Sequence, residues 1–118
     1  MTNKLIVVPI LNDRYKVQVC LGDEKFFRKA LKKSNYTGLI DGYLKYAGVT
    51  FYCPHGMSII WIKEVKKTPQ FIGVLAHEAC HAIHYLFKYI KQDSVCEVYC
   101  HSVEAVVRIV LEKLKDKK

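Results

Sequence analysis

The stretch His77-Glu78-Ala79-Cys80-His81 holds the residue types and spacing of a hydrolytic metal site, in the order HExxH. On an α-helix, positions four apart share a face and lie about one turn from each other. Two imidazoles held this way can bind one Zn²⁺. The Glu between them can take a proton from a water that the metal has made acidic. So short a pattern also arises by chance, and its setting decides its weight.

The setting predicts a helix. Thr68 is a good N-cap and Pro69 a good first residue. Phe71, Ile72, Val74, Leu75, Ala76, Ala79, Ala82, Ile83, Leu86, Phe87 and Ile90 follow, apolar over most of the circumference. Such a helix is buried on most sides. The bland alternative is a core helix whose histidines are merely hydrogen-bonded. Against it stand His77, Glu78, His81 and His84 in one short segment. Ionisable groups are costly to bury unless they are paired or bound to metal. His84 shares the face of His77 and His81. It reads as a group that orients a ligand, or as a polar residue at the helix edge, ahead of direct ligation.

A catalytic zinc takes three protein ligands and keeps one position open. The chain's last segment supplies candidates for the third. From near Ser94, Val95, Val98, Tyr99, Val103, Val106, Val107, Val110, Leu111 and Leu114 recur at helical spacing. Glu97, His101 and Glu104 fall on one face of that helix. A tight antiparallel hairpin turning near Gln92 would set His81 level with Val103, which favours His101 or Glu104. Glu97 has a rival role, because Ser94-Val95-Cys96-Glu97 fits a capping box. His101 and Tyr99 are the candidates for donating a hydrogen bond to a developing oxyanion.

The remaining elements must hold these groups in place. Lys4 to Ile10 reads as a buried strand, and Tyr15, Val17 and Val19 alternate as in a half-buried one. Asn12-Asp13 between them suggests a hairpin. Asp23 can cap a helix over residues 24–33. Residues 43–52 read as partly extended. Pro54-His55-Gly56 turns the chain, with His55 on the surface, and Ser58-Ile59-Ile60-Trp61-Ile62 reads as another strand. The layout is α+β: a small mixed or antiparallel sheet, a short helix and two consecutive C-terminal helices, all in one domain over residues 1–118.

The segment from Gly48 to Leu114 resembles the small zincin-type metallopeptidases of phages and prophages. The resemblance lies in Ile59-Ile60-Trp61-Ile62, in His77-Glu78-Ala79-Cys80-His81, and in Glu97-Val98-Tyr99-Cys100-His101. In the last motif His101 stands where the family has an aromatic residue, and the gap between the motifs is short. The resemblance implies a minimal zincin-like fold, zinc on His77, His81 and Glu97, and peptide hydrolysis with Glu78 as general base. It also implies that Ser58 to Ile62 is the edge strand along which an extended peptide adds. The alternative is a zincin-fold protein-binding module without turnover, its metal site structural or vestigial.

Composition narrows the partners. The chain has 118 residues, 51% of them hydrophobic, enough for a core. No apolar run approaches the roughly 18 residues that cross a bilayer, and the first apolar stretch is too short for a secretory signal. These features predict a cytoplasmic protein that does not enter membranes, in the host cytoplasm if a phage encodes it. Lys and Arg number 19 against 11 Asp and Glu, a net charge of +8. That surface could draw nucleic acid, but no basic, aromatic-interleaved stretch argues for a dedicated reader, and a peptide or protein substrate is preferred. Cys20, Cys53, Cys80, Cys96 and Cys100 form no CxxC pair, so they read as small buried hydrophobes in a reducing compartment, with Cys100 a minor candidate ligand. A ferritin-like di-metal site would need paired Glu-x-x-His motifs in a four-helix bundle, and the chain has neither.

Overall fold

The computed structural model describes residues 3–40, 42, 45–65, 68–91 and 97–115. Its elements run β1 (Lys4–Ile10), β2 (Tyr15–Leu21), α1 (Glu24–Lys33), β3 (Gly48–Tyr52), β4 (Ser58–Ile62), α2 (Pro69–Tyr89) and α3 (Glu97–Lys115). This is the expected α+β layout with two consecutive C-terminal helices, and the sheet is mixed. Its order is β1-β2-β4-β3, with β2 and β4 parallel and the two outer pairings antiparallel.

Local chemistry accounts for the element ends. Leu11, Asn12 and Asp13 turn the β1–β2 hairpin with φ of 55°, 56° and 66°. Asn and Asp tolerate that left-handed region better than most residues. Asp23 caps α1, its carboxylate accepting from the Phe26 N–H at 2.8 Å. Thr68 caps α2, its hydroxyl accepting from the Phe71 N–H at 3.3 Å, and Pro69 opens the helix. The proposed turn at Gln92, the Ser94 capping box and Cys96 lie outside the described residues, as do Tyr43 and Leu44.

The two faces of the sheet bury separate cores. On one face Ile6, Val8, Val17, Val19 and Ile60 meet Leu75, Ala79, Ile83 and Leu86 of α2 and Val106 and Val110 of α3. On the other, α1 lays Phe27 and Leu31 against Cys20, Phe51, Ile59 and Trp61. Phe27 stacks on Trp61 with centroids 4.4 Å apart, and the indole N–H donates to the Gly22 carbonyl at 2.9 Å.

This arrangement corrects one expectation. Ser58, Ile59, Ile60, Trp61 and Ile62 do not form an edge strand. All five are buried, and β4 is hydrogen-bonded to β2 on one side and β3 on the other. A continuous apolar run suits a strand covered on both faces, whereas an edge strand needs only one apolar face. The sheet ends instead at β1 and β3. β3 reaches its edge position by folding back on β4 through the turn at Pro54–Gly56, where the Cys53 N–H donates to the Met57 carbonyl at 2.8 Å.

Candidate metal and catalytic site

α2 is the helix that the HExxH spacing predicts, and it lies across the sheet so that its exposed stripe carries His77, His81 and His84. The Nε2 atoms of His77 and His81 are 3.2 Å apart. Two nitrogens on a tetrahedral Zn²⁺, each at about 2.0–2.1 Å, would be separated by roughly 3.3 Å. The histidine pair therefore fits a zinc ion as two of its donors.

Glu78, the residue between them, is buried, at 7% exposure. Its carboxylate is held by β3. The Thr50 hydroxyl lies 2.7 Å from Glu78 Oε1 and 3.1 Å from the Glu78 backbone carbonyl. Oε2, the other carboxylate oxygen, lies 3.9 Å from His77 Nε2. One oxygen is thus tethered and the other is turned towards the imidazole pair.

The pleat of β3 explains why this strand serves the site. Side chains alternate between faces, so Gly48, Thr50 and Tyr52 point one way and Val49 and Phe51 the other. Phe51 and Val49 pack into the α1 core. The first set faces α2. At Gly48 a Cβ would lie 2.5 Å from Val74 Cγ1 and 3.2 Å from Glu78 Cγ, so only glycine lets strand and helix come this close. Tyr52 stacks on Tyr85 of α2 with centroids 4.4 Å apart, and the Tyr85 hydroxyl donates to the Cys53 carbonyl at 2.7 Å. Partial burial, then the charge of Glu78, push the Tyr52 phenol above its ordinary pKa. It stays a neutral donor. Gly48, Thr50, Tyr52 and Glu78 line a cavity of about 630 Å³ that also reaches Tyr36, Tyr46, His77 and His81.

Sequence reasoning missed Gly48, Thr50 and Tyr52. The signal was present as a small–polar–aromatic set alternating with Val49 and Phe51.

The α3 candidates lie elsewhere. Ser102, Val106, Val110 and Leu114 face the core, which turns Glu97, His101 and Glu104 towards solvent. Glu97 and His101 pair with each other at 3.2 Å, their side chains 86% and 75% exposed. Glu104 pairs with Arg108 at 3.0 Å. Tyr99 sits in the α2–α3 seam, its ring edge-on to Phe87 and its hydroxyl donating to the Cys80 carbonyl at 3.4 Å. Burial, followed by the neighbouring Cys80 and Cys100, raises its pKa. Among the described residues no three His, Cys, Asp or Glu side chains form a group that could hold a metal ion. The fold thus joins His77, His81 and Glu78 but leaves Glu97, His101, Glu104 and Tyr99 apart from them.

The cysteines divide in a way that composition did not suggest. Cys20 and Cys53 are buried, and burial pushes their thiols up to about 12 and about 11. Cys80 and Cys100 are exposed, contrary to the buried role expected of them, because they fall beside the apolar stripes of α2 and α3. His55 is exposed in its turn, at φ 65°. No described helix is long and apolar enough to cross a membrane. Comparison with protein-family models, curated proteins and solved structures finds no match to this chain.

Proposed function

We propose that this chain is a zinc-dependent peptidase in which His77 and His81 hold the metal and Glu78 is the general base. The observation that carries the reading is the 3.2 Å separation of the two Nε2 atoms directly beside a buried, tethered carboxylate. When bound there, zinc would lower the pKa of water and polarise a carbonyl. The chain's own residues would do the rest. Glu78 Oε2 takes a proton from the attacking water and returns it to the leaving amine. Tyr52, a neutral phenol in the same cleft, replaces Tyr99 and His101 as the candidate hydrogen-bond donor to the oxyanion. The peptide lies along β3, the sheet edge that borders the cleft, and adds to it as a further strand.

Glu97 is kept as the proposed third donor, as the zincin resemblance implies. To serve, it must leave His101. That exposed pair is worth at most about 1 kcal/mol, little beside a zinc bond. The competing reading is a binding module of the same fold without turnover, and the solvent-facing position of Glu97 favours it.

Metal content and turnover decide between them. The peptidase carries about one zinc per chain after mild dialysis and cleaves peptides, while Glu78→Gln keeps the metal and loses cleavage. A module binds peptide but cleaves none. A chain without metal affinity sinks the peptidase reading.

A further inference from the structure

The net charge of +8 is not spread evenly over the fold. α1 carries Lys25, Arg28, Lys29, Lys32 and Lys33 against a single acid, Glu24. α2 balances Lys88 with Glu78, and α3 balances Arg108, Lys113 and Lys115 with Glu97, Glu104 and Glu112. Phe27, Ala30 and Leu31 turn α1 onto the sheet. The five cations recur three or four residues apart, so they share the opposite face, and all five are exposed. They span about 12 Å along the helix axis.

The sheet extends this stripe at both ends. The Gln18 amide donates to Ser34 Oγ, at the C-terminal end of α1, at 2.8 Å. Lys16 lies two residues earlier on β2 and so faces the same side. At the other end the Trp61 indole reaches the Gly22 carbonyl just before the helix, and the Lys63 ammonium lies 5.3 Å from the Trp61 ring centre. Helix chemistry explains only part of the stripe. Lys32 and Lys33 suit the negative end of α1. Lys25 stands in the first turn, where a cation is disfavoured. Glu24 is paired with Arg28 at 2.7 Å, so α1 has no second acid for Lys25 or Lys29.

We propose that this face docks the phosphate backbone of a nucleic-acid duplex without reading its sequence. The partner follows from what the stripe has and what it lacks. Duplex phosphates recur about every 3.4 Å of axis on each strand, so about 12 Å of helix faces roughly three to four of them. Every exposed residue of α1 is charged. The stripe therefore has no apolar anchor of the kind that seats a protein partner or enters a lipid surface. It lies across the sheet from His77 and His81, so docking leaves the α2 cleft open. With about four phosphates neutralised, affinity should fall on the order of a hundredfold between about 50 and 200 mM salt.

Fluorescence anisotropy of labelled DNA duplexes of two unrelated sequences tests this. The parent protein should bind both alike, with Kd of about 1–100 µM at physiological salt. Replacing Lys25, Lys29, Lys32 and Lys33 together by Gln should weaken binding at least about tenfold and lower the salt slope by about three to four. Replacing the same four by Arg should keep both. Arg14→Gln, Lys88→Gln, Lys113→Gln and Lys115→Gln together remove as much charge elsewhere and should cost less than about threefold. Exposed substitutions of this kind barely move stability, and melting curves confirm that each variant is folded. No duplex binding at low salt, equal losses in the two Gln variants, or loss in the Arg variant would overturn the proposal. So would polyglutamate, or vesicles containing phosphatidylserine, bound as tightly as the duplex at matched salt, because the face would then suit an acidic protein or a membrane.

Discussion

Replacing Thr50 by Val tests whether β3 holds the base. The two side chains are nearly the same size, so packing is kept and only the hydroxyl is lost. That hydroxyl donates to Glu78 Oε1 at 2.7 Å, close to the short range of charge-assisted O–H···O⁻ bonds. Hydrogen bonds to charged groups contribute about 1.5–3 kcal/mol net. The residue is only part-buried and faces an open cleft, where water can replace part of what is lost, so the lower half of that range applies. Removing the bond also leaves a carboxylate that is 7% exposed with one oxygen unsupported. For a domain of this size the fall in melting temperature should be roughly 5–10 °C. Equilibrium denaturation of the parent, Thr50→Val and Thr50→Ser proteins gives the energies, and peptide cleavage on the same samples gives kcat and KM. Thr50→Val should lose kcat with little change in KM or zinc affinity, and Thr50→Ser should restore most of both stability and rate. If Thr50→Val unfolds at the parent's denaturant midpoint and cleaves at the parent's rate, the hydroxyl does not position Glu78.

Further outcomes follow from other contacts. Gly48→Ala should destabilise the fold by about 1–3 kcal/mol, because its Cβ would meet Val74 Cγ1 at 2.5 Å; an unchanged melting curve would mean that β3 can move aside at little cost. Alkylation at pH 8 followed by mass mapping should label Cys80 and Cys100 and spare Cys20 and Cys53; rapid labelling of Cys20 would contradict its burial. A thiol held at about 12 when folded, against an ordinary 9.0, keeps its proton longer in the folded state. Its contribution is full below pH 9 and is lost as pH rises towards 12, so alkaline titration of stability should fall across that window and should fall less in Cys20→Ala. Glu97→Ala should weaken zinc binding more than Glu104→Ala does, as read by competition with a chelating dye, and equal affinities would remove Glu97 from the ligand set.

Much of the framework was legible because local rules and packing agree. Asp23 and Thr68 cap where their types predict, and the apolar circumference of residues 71–87 gives a buried helix that carries its polar stripe outward. The base and the two histidines were legible for the same reason, since a spacing of four on a helix fixes their relation whatever surrounds it. The order of strands was not. Ser58 to Ile62 shows five consecutive buried positions, which says that both faces are covered, but family likeness argued for an edge and outweighed that sign. Thr50 was missed for a different reason. Its alternation with Val49 and Phe51 marks a face of the strand but not what that face meets, and its role depends on a contact across 28 positions of sequence.

α3 shows where one-dimensional spacing stops. Glu97, His101 and Glu104 share a face, and that much follows from sequence alone. Which way the face points depends on the competing stripe. Ser102, Val106, Val110 and Leu114 are buried against β1 and α2, and burying large aliphatic side chains contributes about 1.5–3 kcal/mol each. Rotating the whole helix to bring Glu97 to the histidines would expose that stripe, at a cost of several kcal/mol. A zinc bond has to offset this unless only the first turn moves. The fully buried residues of α3 begin at Ser102, beyond Glu97 and His101, so a shift of the first turn spares Val106 and Val110 and gives up only the Tyr99 contacts with Phe87 and the Cys80 carbonyl. Metal binding through Glu97 is therefore expected to reorganise that turn alone. Amide hydrogen exchange with and without zinc should show protection changes confined to the residues before Ser102. Changes extending to Val110 would mean that the helix rotates as a body, and no change at all would leave the histidine pair without a donor from α3.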